Sequence, residues 1–157
     1  MNRAGIGIDV HRFAPNRKLI IGGVQIPYEF GLEGHSDADV LVHAIADALL
    51  GAAALGDIGK FYPDTEMQWK DMNSMVILRD VAEKYRSLHA KINNIDAAII
   101  AQAPKLAPHI PRMQEIIAAN LRLTPEQVGI KATTSELMGF TGRKEGIVAI
   151  AIVSVEI

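Results

Sequence analysis

Apolar and polar positions alternate over residues 3–11, which predicts an extended strand running straight into Asp9-Val10-His11. Lys18-Leu19-Ile20-Ile21, Gly22-Gly23 and Val24-Gln25-Ile26-Pro27 read as a short hairpin whose paired glycines supply the turn. The polar stretch Gly34-His35-Ser36-Asp37-Ala38-Asp39 then gives way to a helical stripe at Val40, Leu41, Ala44, Ile45, Ala48 and Leu49. Ser36 suits the N-cap, Asp37 and Asp39 in the first turn complement the helix dipole, and the helix is expected to stop near Gly51 or Gly56. Gly56 to Thr65 reads as a polar loop bearing Gly and Pro, followed by a second helix at about 70–88 striped by Met75, Leu78, Val81, Ala82 and Tyr85. Ile92 to Ile100 reads as a buried strand, and Gln102-Ala103-Pro104-Lys105 as the loop leading to a third helix between Pro108 and Leu121. Val128 to Thr133 and residues 146–157 complete the strands. Strands and helices mix without a strict βαβ repeat, so the expected class is α+β with a mixed sheet. No repeat or linker divides the chain, and 1–157 is expected to be one domain.

Composition narrows the functional classes. Of the 157 residues 49 % are hydrophobic and only 5 % aromatic, an aliphatic load that fits burial of surface between subunits. A formal net charge of -2 without basic runs gives no support for nucleic-acid or membrane-surface binding. The absence of Cys excludes disulfides, thiolate metal ligands and a Cys nucleophile, and agrees with a reducing compartment. With no secretory h-region and no apolar stretch near the ~20 residues that span a bilayer, a cytoplasmic location is expected.

The candidate chemistry starts with Asp9 and His11. On a strand, residues i and i+2 share a face, so these two side chains project together. His43 from the first helix would complete a carboxylate and two imidazoles, the three protein ligands of an open zinc site. One turn along, Asp47 is placed to accept the second ring N–H of His43, as carboxylates behind metal-bound imidazoles do; the same spacing also fits a solvent-facing His–Asp pair. His35 and Ser36 stand at a helix start, where unpaired N–H groups favour phosphate, though Ser36 also serves as a plain cap. Gly56-Asp57-Ile58-Gly59 reads either as a simple turn or as a place where backbone N–H groups and Asp57 approach a polyol. Thr133-Thr134-Ser135-Glu136 follows a strand; it reads as turn chemistry or as a place where Glu136 holds a hard divalent ion. Lys105 and Arg143 are cations in flanking loops, read either as phosphate contacts or as solvated side chains.

These segments occur in order from first strand to last. Gly7-Ile8-Asp9-Val10-His11, Gly34-His35-Ser36-Asp37-Ala38-Asp39-Val40, His43, Gly56-Asp57-Ile58-Gly59, Phe61-Tyr62-Pro63-Asp64, Ala101-Gln102-Ala103-Pro104-Lys105, Lys131-Ala132-Thr133-Thr134-Ser135-Glu136 and Gly139-Phe140-Thr141-Gly142-Arg143 together resemble the 2-C-methyl-D-erythritol 2,4-cyclodiphosphate synthases. The resemblance implies a four-stranded mixed sheet with helices on one face, in a homotrimer whose sheets enclose a central apolar channel and whose active sites lie between subunits. It implies conversion of a 4-diphosphocytidyl-methylerythritol 2-phosphate to the cyclic diphosphate and CMP.

Residue by residue, Asp9, His11 and His43 match the zinc ligands, and Glu136 matches the ligand of a magnesium or manganese ion bridging the α- and β-phosphates. His35 and Thr134 match groups that stabilise the transition state, and Ser36 a phosphate contact. Asp57 with Gly59 and Asp64 match the methylerythritol pocket, and Ile58, Tyr62 and Pro63 are further implied substrate contacts. Ala101, Gln102, Ala103, Pro104, Lys105 and Leu106 match the cytidine-side loop. Val10, Thr133, Ser135, Phe140 and Arg143 complete the implied substrate contacts. Some members carry an aromatic residue before the zinc-binding Asp and a Glu on the last strand. Here those places look like Ile8 and Ile150, so the resemblance does not extend to binding an isoprenoid diphosphate in the channel. A zinc hydrolase of phosphate or amide bonds, and a non-catalytic metal-binding assembly protein, are the rival readings.

Overall fold

The computed structural model of the chain describes residues 1–157. The N-terminal alternation forms β1 (Asn2–Ala14), which continues past His11. The expected hairpin forms β2 (Leu19–Ile21) and β3 (Val24–Ile26), turned by Gly22 and Gly23 at φ of +60° and +75°. Two-residue β4 (Gly31–Leu32) pairs with the end of β1. The remaining elements are α1 (Val40–Ala52), α2 (Ile58–Phe61), α3 (Met75–Ser87), β5 (Lys91–Ile100), α4 (Ile110–Leu121), β6 (Val128–Thr133), α5 (Gly139–Gly142) and β7 (Gly146–Glu156). No helix is long and apolar enough to cross a membrane.

The sheet order is β4-β1-β7-β5-β6, antiparallel from β4 through β5 and parallel between β5 and β6. The expected class and mixed sheet therefore hold, but the sheet has five strands rather than four. The fifth arises because β1 overruns its Asp-x-His segment, offering Phe13 and Ala14 to Leu32 and Gly31. A two-residue strand carries no period-2 signal by which it can be read from sequence.

Register explains how α1 lands on the sheet. Gly7, Ala151, Ala97 and Ile130 lie side by side across β1, β7, β5 and β6, and Asp9, Ala149, Ile99 and Ala132 form the next row on the same face. The small residues among them, Gly7, Ala151, Ala97 and Ala149, make a furrow. A Cβ at Gly7 would stand 1.9 Å from the Ala44 carbonyl oxygen, and one at Gly5 2.0 Å from that of Ala48. The glycines thus let the helix backbone touch the strand directly. On its outer side α1 is covered by α3, so every residue from Val40 to Ala52 except Asp47 and Gly51 is buried, and the helix is apolar almost all round. The opposite sheet face carries Ile6, Ile8, Val10 and Ile152, all at least half exposed.

Candidate metal centre and its cavity

The furrow brings His43, on α1, over Asp9 and His11, on β1. Asp9 Oδ2 lies 2.8 Å from His11 Nε2 and 3.1 Å from His43 Nδ1, and the two ring nitrogens are 3.4 Å apart. A zinc ion with bonds of ~2.0 Å in a tetrahedral site separates its ligand atoms by roughly 3.3 Å. The triangle therefore fits three corners of such a site, and its carboxylate-plus-imidazole donors suit a borderline metal. No metal group beyond Asp9, His11 and His43 is formed within the chain. His11 Nδ1 lies 2.6 Å from the Glu33 carbonyl oxygen. A carbonyl only accepts, so Nδ1 carries a proton and Nε2 is the ring nitrogen that a metal would take.

The electrostatics agree with a cation-seeking site. Burial works to raise the Asp9 pKa, but hydrogen bonds and charge from His11 and His43 outweigh it and hold the carboxyl well below the usual range. Burial likewise works against a charged His11, yet Asp9 and the Glu33 carbonyl raise its pKa above 6.5.

Asp47 does not support His43. Its Oδ1 accepts from the Ile58 backbone N–H at 2.8 Å, tying α1 to the start of α2. What stands behind His43 is Ser74, whose Oγ is 2.9 Å from His43 Nε2, with Ser36 Oγ further away at 3.4 Å. The helix start also differs from the sequence reading. Ala38 adopts φ of +56° and breaks the turn, so Asp39 is the N-cap, accepting from Val42 N at 3.1 Å. Asp39 also accepts from Gly22 and Gly23 N, fastening the hairpin to the helix. Ser36, freed from capping, accepts from Ala38 N at 3.2 Å and lines the cavity.

The triangle floors a cavity of about 460 Å³. Of the expected residues, Asp9, His11, His35, Ser36, His43, Ile58, Gly59, Tyr62, Pro63 and Asp64 line it. Asp57 is at its edge as the N-cap of α2, accepting from Lys60 N at 3.0 Å; the stretch read as loop contains this helical turn. The structure adds Thr65, Trp69, Met72 and Ile77 to the wall. Trp69 meets Tyr62 edge-on, with ring centroids 5.2 Å apart, and its indole N–H is buried without a partner. The Tyr62 hydroxyl donates to Asp80, and burial together with that carboxylate raises its pKa. Ile77 lies off the stripe read for its helix, and an isolated Trp between loop residues offers no pattern at all.

The other expected residues gather elsewhere. Ala101, Gln102, Ala103, Pro104, Lys105 and Leu106 line a separate cavity of about 320 Å³ with Thr133 and Thr134. Ser135 and Glu136 follow in a turn where Glu136 and Leu137 hold φ of +53° and +64°, a left-handed pair without glycine. Gln102 Oε1 accepts from Leu137 N at 3.1 Å, so the loop after β5 braces that turn. Val10 and Phe140 flank a third cavity with His11 and Arg12. Arg143 pairs with Glu145 at 2.9 Å. Ile8 and Ile150, the positions of the two departures, are register partners on the open sheet face.

A family model described as the YgbB family matches residues 2–156. The chain is 56 % identical over 154 residues to the 2-C-methyl-D-erythritol 2,4-cyclodiphosphate synthase of Desulforamulus reducens, covering 98 % of each. Among solved structures it matches the bifunctional IspDF from Campylobacter jejuni with a TM-score of 0.95 and 46 % identity; 99 % of this chain is covered and it spans 42 % of that longer one. It matches a CDP-bound form of 2C-methyl-D-erythritol-2,4-cyclodiphosphate synthase with a TM-score of 0.89 and 34 % identity, over 98 % of this chain and all of the other (100 %). With its strands, helices and Asp-His-His triangle embedded in a match that runs nearly end to end, this chain belongs to the YgbB family.

Proposed function

We infer that the chain, a single domain over 1–157, converts 4-diphosphocytidyl-2-C-methyl-D-erythritol 2-phosphate to 2-C-methyl-D-erythritol 2,4-cyclodiphosphate and CMP, in non-mevalonate isoprenoid precursor synthesis. An oxygen of the 2-phosphate bonds to the β-phosphorus, and the bond from that phosphorus to the bridging oxygen breaks, releasing the α-phosphate as CMP. The attacking phosphate is already anionic, so positioning and charge stabilisation carry the step and no Ser–His–Asp nucleophile is required. The single observation that carries the reading is the Asp9–His11–His43 triangle opening into the cavity lined by His35, Ser36 and Ile58 to Asp64.

Asp9, His11 and His43 would hold zinc, and Glu136 a magnesium or manganese ion. When bound, these ions polarise the β-phosphate and neutralise charge on the departing CMP. His35 and Thr134 stabilise the transition state, Ser36 contacts phosphate, and Asp57, Gly59 and Asp64 hold the methylerythritol. Ala101 to Leu106 take the cytidine, with Lys105 reaching phosphate.

Sheet register supports placing the site between subunits. Val10, Val148, Ile100 and Thr133 form one row, so β1 and β6 are three strand spacings, ~14 Å, apart. Two ions that share one diphosphate must lie much closer than that. The Glu136 turn facing a given triangle then comes from a neighbouring copy. The exposed Ile6, Ile8, Val10 and Ile152 supply the apolar face for a homotrimer around a channel. A Cys-free composition supports a cytoplasmic location.

Incubating the metal-loaded protein with the diphosphocytidyl substrate and following CMP together with the phosphorus NMR spectrum tests the reading. A cyclic diphosphate formed in step with CMP is the expected result. CMP release without cyclisation would identify a hydrolase, and no turnover with both metals present would identify a metal-binding assembly protein.

A further inference from the structure

Behind the proposed zinc site the structure holds a chain of hydrogen bonds that no sequence motif announces. Ser74 is fully buried at the start of α3. Its hydroxyl donates to Asp37 Oδ1, while its backbone N–H donates to Asp37 Oδ2 at 2.9 Å. A serine hydroxyl has one proton. Once that proton is committed to the Asp37 carboxylate, Ser74 Oγ meets His43 Nε2, 2.9 Å away, only as an acceptor. Nε2 must then carry a ring proton, and Nδ1, 3.1 Å from Asp9 Oδ2, is left as the nitrogen that a metal would take in place of a proton. Reversing the hydroxyl would leave the Asp37 oxygen facing the oxygen of Ser74 with no proton between them. The carboxylate thus determines the tautomer of a histidine it never touches.

We propose that Ser74 and Asp37 are positioning residues that lock His43 in the Nε2–H tautomer and thereby present Nδ1 for zinc binding. The inference rests on the reading of Asp9, His11 and His43 as zinc ligands. It assigns the support of His43 to residues remote in sequence rather than to Asp47. It also ties the metal to the cavity wall, because Asp37 N donates to the Met72 carbonyl at 3.1 Å and Asp71 N to that of His35 at 2.8 Å. The strand of chain that ends at Ser74 is thereby fixed against the His35 loop.

Two measurements on the full-length protein test the proposal. In the metal-free protein at high pH, nitrogen NMR of the imidazole is expected to place the His43 proton on Nε2. The proton on Nδ1 would overturn the proposal whatever the protein does with zinc. Zinc affinity by chelator competition is expected to fall about 10- to 100-fold in Ser74→Ala, with one zinc still bound at saturation. Asp37→Asn, with its carbonyl oxygen held by the Ser74 backbone N–H, gives up the contact from Asp39 N and sets its amide N–H toward Ser74 Oγ, which turns the hydroxyl toward His43. That variant is expected to move the ring proton to Nδ1 and to weaken zinc as well, a readout that loss of packing alone does not produce. Wild-type zinc affinity in both variants would overturn the proposal, and circular dichroism establishes that each is folded. A wild-type protein that binds no zinc would sink the metal reading instead, leaving the tautomer measurement to judge the relay.

Discussion

Gly7→Ala tests the link between sheet packing and the metal centre. The added methyl would lie 1.9 Å from the Ala44 carbonyl oxygen and 2.7 Å from Ala48 N, where ordinary contact begins at 3.4 Å. Helix α1 must therefore withdraw from β1 by about 1.5 Å, the difference between those values. The obstacle is helix backbone, which has no rotamer with which to yield. His43 rides on the same turn of helix, so its 3.1 Å approach to Asp9 opens by a comparable amount. Metal–ligand distances hold to about ±0.2 Å, and the triangle loses one corner. Zinc affinity should fall by more than the ~100-fold that loss of an outer partner costs. Overpacking costs ~1–3 kcal/mol, and relief of glycine's backbone entropy returns ~0.5–1 kcal/mol, leaving a net loss of about 1 kcal/mol. For a chain of this length that lowers Tm by roughly 2–4 °C. Calorimetry and chelator competition read both numbers. Gly51→Ala is the control, because a Cβ there meets nothing within 4 Å and should stabilise α1 by ~0.5–1 kcal/mol without touching zinc. A Gly7→Ala protein that folds and binds zinc as the wild type does would refute the argument that direct helix–strand contact sets the site.

The remaining expectations follow from single groups. His43→Ala should lose zinc and activity while native mass spectrometry still reports the assembled oligomer; retained zinc stoichiometry would remove His43 from the ligands. Glu136→Gln should shift the magnesium dependence of turnover by more than it changes zinc content, and an unchanged magnesium titration would rule out Glu136. In the metal-free protein the depressed Asp9 contributes stability that is present above pH 3.8 and lost as pH falls toward its folded pKa, and the raised His11 contributes stability present below 6.5 and lost as pH rises through its folded pKa. Zinc requires both rings deprotonated, so the Tm increment on adding zinc should grow from about pH 6 to about pH 8, and a flat increment would contradict the ligand assignment. Trp69 is the only tryptophan and lines the metal cavity, so its fluorescence should respond to methylerythritol phosphates but little to cytidine alone. Equal responses to both would mean that the two cavities are not separate binding surfaces.

The triangle was legible because each of its parts obeys a local rule. Period-2 alternation puts Asp9 and His11 on one side of β1, and a helical stripe puts His43 beside the buried face of α1. What joins them, Gly5 and Gly7 under Ala44 and Ala48, becomes meaningful only when strand and helix are packed. The support of the site was misread for the same reason. Asp47 looks right by helical spacing, but a carboxylate one turn away had a nearer N–H donor in Ile58, at the start of a helical turn hidden in a loop. Ser36 looks like a cap by composition, but Ala38 in a left-handed conformation moves the cap to Asp39, which the hairpin glycines also need. Both errors come from assigning a polar group to its closest neighbour in sequence. A buried polar group is satisfied by whichever donor or acceptor the packed fold brings near, and here the decisive pairs, Ser74 with Asp37 and Ser74 with His43, lie 37 and 31 residues apart. No periodicity reaches that far. The ligands of such a site are therefore readable from local pattern, whereas the groups that set their protons become visible only once helix, hairpin and loop are in contact.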